Sequence, residues 1–162
     1  MRTSHRAIVY TALFVSTLVS STLAQTVKRV SCDGRIVHVD YANSNFTVPA
    51  EKDQVGCYTA SVAPDAHTVA WNALFDNCCT SYPIATAIVI LRDHHKVVVH
   101  PGQMVYEWHF VDRGQRIAVL FGPVHGDFAG ANLYDCRSGT LAATWKRNSP
   151  PPDWVKPWDH EP

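Results

Sequence analysis

The sequence predicts an all-β domain of antiparallel, blade-like hairpins and meanders, packed as a small sandwich or an incomplete propeller. Three observations predict it. Apolar residues do not recur at helical spacing; short runs rich in Val, Ile, Tyr, Phe and Trp instead alternate with clusters of Gly, Pro, Asn and Asp, the pattern of many short strands. In "MVYEWHFV", Met104 to Val111, the residues Met104, Tyr106, Trp108 and Phe110 alternate with Val105, Glu107 and His109. That gives one apolar and one mixed face, as in a half-buried antiparallel strand. Finally, "SVAPDAHTVAW" from Ser61 lies without gaps over "HFVDRGQRIAV" from His109, an offset of 48 residues. Both carry an apolar residue, an acidic turn, a polar pair and then a strand beginning Val-Ala or Ile-Ala.

Taken in order, the chain opens with a basic segment, Met1 to Arg6, followed by the uncharged, mostly apolar run Ala7 to Leu23, ending at Thr22-Leu23-Ala24 before Gln25. This is the layout of a secretory signal peptide cut after a small residue. A retained anchor is the alternative, because the 18 uncharged residues from Ala7 to Ala24 reach the lower limit of a span. Small residues around Ala24, hydroxylated residues within the run and no basic flank after it favour cleavage. The expected mature chain is soluble and exported, periplasmic or extracellular, without membrane insertion.

Further strands are expected over Arg35 to Asp40, Val55 to Ser61, His67 to Leu74, Ile84 to Leu91, Lys96 to His100, Gln115 to Gly122, Ala131 to Cys136 and Thr140 to Lys146. Ile84 to Leu91 and Arg116 to Phe121 are continuously apolar, the mark of strands covered on both faces. Hairpins are signalled by "SCDGRIVHV" from Ser31, "RDHHKVVV" from Arg92 and "YDCRSGTLAA" from Tyr134, with Asp33-Gly34 and Ser138-Gly139 tolerating positive φ. Residues 25–147 form the all-β domain. The remainder, 148–162, has five prolines in fifteen residues and is expected as a flexible or polyproline-like tail, in which Trp154 and Trp158 either dock back or stay exposed for a partner.

Charge narrows the function. Without Arg2 and Arg6 the 14 Lys and Arg become 12 against 14 Asp and Glu, so no basic stripe is left to hold phosphates and nucleic acid is not expected as a partner. Five cysteines, Cys32, Cys57, Cys78, Cys79 and Cys136, fall in the exported part, where disulfides persist, and an odd number leaves at least one unpaired within the chain. Adjacent residues of an extended chain point to opposite faces, so Cys78 and Cys79 in "DNCCTSYP" are expected to bridge two different segments, with Cys57 and Cys32 or Cys136 as partners. A bridge closing such a loop contributes roughly 3 kcal/mol. A vicinal bridge, a redox role and metal binding remain alternatives.

Eight histidines lie in the exported part (His38, His67, His94, His95, His100, His109, His125 and His160), but none at a His-x-x-x-His spacing. His94 and His95 read as a solvated turn. In "GPVHGDFAG", His125 and Asp127 sit among Gly122, Gly126 and Gly130, which either let the backbone approach a ligand or simply turn a long hairpin loop. No Gly-x-Ser-x-Gly elbow, phosphate loop or close carboxylate pair singles out a catalytic residue. Trp71, Trp108 and Trp145 read as core. Binding candidates are Asp76, Tyr82, His125 and Asp127, with no catalytic residue, metal or cofactor assigned.

The segments "WHFVDRGQRIAVLFG" and "GANLYDCRSGTLAATW" resemble the repeat of TolB-like and WD-type β-propellers over about residues 61–145. The resemblance implies two blade-like units. Rings close with about four to eight blades, so the expectation is two sheets packed face to face, or chains that assemble. "DNCCTSYPI" with "HGD" also resembles small exported bacterial proteins of unassigned activity, which implies an envelope or extracellular location. The functional expectation is a non-enzymatic binding or scaffold module for an unknown protein or small molecule, meeting it through the loops at Cys78-Cys79 and Gly122 to Gly130 or through the tail. A chain ending near Asn148 is then expected to stay folded. The alternative is a metal-binding or thiol-redox protein using Cys78, Cys79 and nearby histidines; a hydrolase built on His125 and Asp127 is a third.

Overall fold

In a computed structural model, residues 25–158 are described. The signal-peptide expectation for residues 1–24, and His160, lie outside the described residues. Eleven strands run β1 (Val27–Asp33), β2 (Ile36–Tyr41), β3 (Asn45–Val48), β4 (Gln54–Val62), β5 (Thr68–Phe75), β6 (Ile84–Arg92), β7 (His95–Val99), β8 (Met104–Val111), β9 (Arg116–Gly122), β10 (Gly130–Asp135) and β11 (Leu141–Lys146). They form three antiparallel meanders in chain order: a first sheet β1-β2-β3, a second β4-β5-β6-β7 and a third β8-β9-β10-β11. The 48-residue offset is the step from second to third sheet, since β5 starts at Thr68 and β9 at Arg116.

The sheets stack face to face, with the second in the middle. Its strands therefore present apolar side chains both ways. Val69, Trp71 and Ala73 of β5, with Ala87, Val89 and Leu91 of β6, meet Val37, Val39 and Val48 of the first sheet. From the opposite face Ala70, Ile88, Ile90 and Val99 meet Val105, Ile117, Val119 and Tyr134 of the third. This double burial is why Ile84 to Leu91 reads as a continuous apolar run, and each fully buried side chain such as Trp71 or Ile88 contributes about 1.5–3 kcal/mol.

The two outer faces differ. On the first sheet the rows Arg29, Asp40, Asn45 and Ser31, His38, Thr47 sit opposite one another across the strands, a polar surface suited to water. On the third, Leu120, Ala131 and Trp145 are apolar and are covered by the chain's own end: Val155 is 2% exposed there, with Trp154 and Trp158 packed alongside. The Trp145 Nε1–H donates to Ser149 O at 3.0 Å. Residues 149–158, expected as a flexible extension, thus lie docked on the sheet, and of the two roles allowed to Trp154 and Trp158 the structure shows docking.

One turn and one disulfide tie the first and second sheets together. The two-residue connection from β6 to β7 needs positive φ at both central positions, and Asp93 (φ 48) and His94 (φ 64) adopt it. The His94 ring then lies 5.0 Å from Tyr41 and 5.3 Å from Phe46 of the first sheet, so it is a packing contact and not only a solvated turn residue. Cys32 of β1 and Cys57 of β4 form a disulfide with Cα atoms 5.8 Å apart, joining first and second sheets. Closing that loop contributes ~3–4 kcal/mol through the unfolded state.

Candidate functional site

The stacking gathers the connections at two ends of the sandwich. One end holds the loops 76–83, 100–103 and 123–129; the other holds the turns 63–67, 93–94, 112–115 and 136–140. The loop that carries Cys78 and Cys79 and the loop from Gly122 to Gly130 thus lie at the same end, flanking the junction of second and third sheets.

Two hollows lie there, of about 310 and 370 Å³, and they share Ile84 and Met104 as a common floor. The first is walled by Tyr58, Leu74, Tyr82, Pro83 and Tyr106, the second by His100, Gly102, Gly122, Pro123 and Val124. Together they make one groove along the seam. Tyr82 is 59% exposed and Tyr58 40% exposed, although both are large aromatic residues. Burial of part of Tyr58 pushes its phenol up, while a hydrogen bond from Asn72 acts the other way. The Tyr106 hydroxyl lies 2.8 Å from both Pro123 O and Gly126 O and donates to that pair, fastening the 123–129 loop to β8.

Glycine is required at 122 for the same reason. A Cβ there would stand 2.7 Å from Phe128 Cα and 2.9 Å from Asp127 O, so what the backbone approaches closely is its own loop. Asp127 is engaged by Arg147 at 2.7 Å, and His125 is exposed beside it. Neither lines the groove. Of the four binding candidates only Tyr82 does; Asp76 is exposed at the start of the same loop. Tyr58, Leu74, Met104 and Tyr106 escaped sequence reasoning because they sit on strands whose alternation reads as core.

The cysteine expectation needs correcting. Cys78 and Cys79 are exposed and bridge no other segment, and their Sγ atoms lie 2.6 Å apart. The rule of opposed directions holds for an extended chain, whereas Asn77 bends this one: its Oδ1 accepts the N–H of Cys79 at 2.9 Å and of Thr80 at 3.0 Å. Cys136 is buried between the second and third sheets, and burial pushes its thiol up to about 12. No group of three or more His, Cys, Asp or Glu residues arranged to hold a metal ion occurs among the described residues.

At the opposite end a polar cleft of about 690 Å³ is lined by Arg92, Asp93, His95, Gln115, Asp135 and Arg137. Arg92 is committed to the frame, since its Nη1 donates to Gly114 O at 3.2 Å and lies 3.4 Å from Asp65 Oδ2. Asp65 braces the turn between β4 and β5. Burial works against its charge, but hydrogen bonds from His67 N, Thr68 N and Thr68 Oγ1, with Arg92 nearby, hold its carboxyl below the usual range. Asp135 repeats the device, kept low by the backbone N–H and hydroxyl of Ser138. Asp65 and Asp135 thus brace turns, and Arg92 ties its end of β6 to Gly114 and Asp65.

No protein-family model matches the chain, and no curated protein does. Among solved structures, Kluyveromyces lactis Hsv2 is similar at a TM-score of 0.39 and 11% identity, over 76% of this chain and 39% of that one. Nothing is carried over from a likeness of that size. No helix among the described residues is long and apolar enough to cross a membrane.

Proposed function

We propose that the protein is an exported, non-enzymatic binding module that seats a small ligand with an aromatic or otherwise flat apolar face in the groove between the 76–83 and 123–129 loops. The observation that carries this reading is the groove itself, with Tyr58 and Tyr82 left exposed over Ile84 and Met104. Large aromatic side chains held in water at the rim of an apolar hollow are a standing cost unless something covers them. Concave, largely apolar sites of a few hundred Å³ are where small molecules bind. The lining holds one imidazole, His100, and no carboxylate, which supports binding over acid–base chemistry.

Export is supported by the apolar run after a basic start and by the Cys32–Cys57 bridge, which persists in an oxidising compartment. We read the second and third sheets as two copies of a propeller-like unit, on the strength of the 48-residue offset and their common meander.

Methyl NMR with indole and 2-naphthol as probes tests the reading. Both compounds shift the Met104 and Ile84 methyl signals saturably, and Tyr82→Ala weakens binding by about 10-fold, the loss of roughly 1.4 kcal/mol of stacking and burial. Methyl signals at Met104 and Ile84 that stay put at millimolar probe would overturn it.

A further inference from the structure

We propose that Cys78 and Cys79 form a reversible dithiol–disulfide pair, a surface redox site that exchanges electrons with disulfides of small thiols. The sulfurs already stand 2.6 Å apart, little more than half an ångström beyond a covalent S–S bond of about 2.05 Å. Closing the bond needs no movement of one sheet against another, because both residues sit in one exposed loop.

The loop is built to hold them. Besides accepting from Cys79 and Thr80, Asn77 donates from Nδ2 to Thr80 Oγ1 at 2.6 Å and to Tyr82 O at 3.1 Å. Both flanks of the pair are therefore fixed by one side chain. Competing partners inside the chain are absent from reach: Cys32 and Cys57 are joined to each other, and Cys136 is 1% exposed. The hydrogen bond to Cys78, and then its charge, pushes the Cys79 thiol above its ordinary value. Two sulfurs side by side in one exposed loop are the arrangement of an attacking and a resolving sulfur.

The chemistry balances as two exchanges. The thiolate of one cysteine attacks a disulfide RS–SR; the S–S bond of that molecule breaks, RS⁻ leaves and takes up a proton, and a mixed disulfide forms. The neighbouring thiol then loses its proton to water and attacks the protein sulfur of the mixed disulfide, releasing the second RS⁻. The pair has lost two electrons and two protons, and RS–SR has become two thiols. An exposed bridge of this kind falls on the labile side of the disulfide scale, unlike the Cys32–Cys57 bridge between sheets.

The test equilibrates the full, natively purified chain in buffers graded from reduced to oxidised glutathione, traps free thiols with a maleimide and maps them by mass spectrometry. The expected result is a Cys78-Cys79 peptide carrying two maleimides at the reduced end and lighter by two hydrogens, without label, at the oxidised end. Cys32–Cys57 stays closed throughout, and Cys136→Ser behaves as wild type. Cys79→Ser retains a stable glutathione adduct on Cys78, because the resolving sulfur is gone. The proposal is overturned by two maleimides on the pair at the oxidised end, by a persistent glutathione adduct on the wild-type pair, or by a bridge from either residue to Cys136 or to a second chain.

Discussion

His109 shows how one residue's surroundings set a measurable property. Its ring lies 4.4 Å from Trp158, and its Nδ1 is buried without a hydrogen-bond partner. Burial pushes its pKa below 6.5, against the opposing pull of the Trp154 backbone and Glu107. The unfolded chain therefore binds a proton more readily than the folded one, so this residue's contribution to stability is complete above about pH 6.5 and is lost as pH falls from there through the lowered value. Between pH 7.5 and 5, tryptophan fluorescence is expected to report loosening of the docked end, and His109→Phe, which keeps a ring against Trp158, is expected to remove that step. Asp65→Asn should cost about 1–3 kcal/mol in urea unfolding, since the three hydrogen bonds to the carboxylate and its pairing with Arg92 are weakened together.

At the scale of elements, alternation was the readable signal. Strand β8 has the bounds of "MVYEWHFV", but its expected alternation fails at a register shift between Val105 and Glu107. Val105, not Tyr106, joins Trp108 and Phe110 in the core between the sheets, while Tyr106 packs on the outer face. The apolar β6 is covered on both faces as its composition says. Strand β1 gave no such signal, because a register shift between Val27 and Arg29 breaks the period and Lys28, Arg29 and Ser31 fill it with polar residues. Strand β3 is four residues long, with Asn45 and Thr47 on the outer face. The direction of Cys78 and Cys79 was misread by applying strand geometry to a turn governed by Asn77. The groove was legible only in part: Tyr82 sits in a loop that looks functional, whereas Tyr58 and Met104 acquire their role from two sheets meeting, which no single stretch of sequence displays. Gly122→Ala tests the loop opposite, and the clash with Phe128 and Asp127 should cost about 1–3 kcal/mol of thermal stability and displace the 123–129 loop from Tyr106.

At the scale of the whole molecule, three sheets share two cores, and each outer face has its own solution: polar rows on the first, the docked end on the third. A chain ending near Asn148 would uncover Leu120, Ala131 and Trp145, so instead of staying as stable as the full chain it is expected to lose about 2–5 kcal/mol and to self-associate, measurable by denaturation and light scattering. Replacing both Cys32 and Cys57 with Ser should cost ~3–4 kcal/mol and loosen the first sheet without altering the groove. That groove, at the seam the stacking creates, is where the account places function. The most direct measurement is a crystal soaked in 4-iodophenol and read by anomalous scattering. The account predicts an iodine peak between Tyr82 and Met104; a peak confined to the polar cleft at Arg92, or none at all, would contradict it.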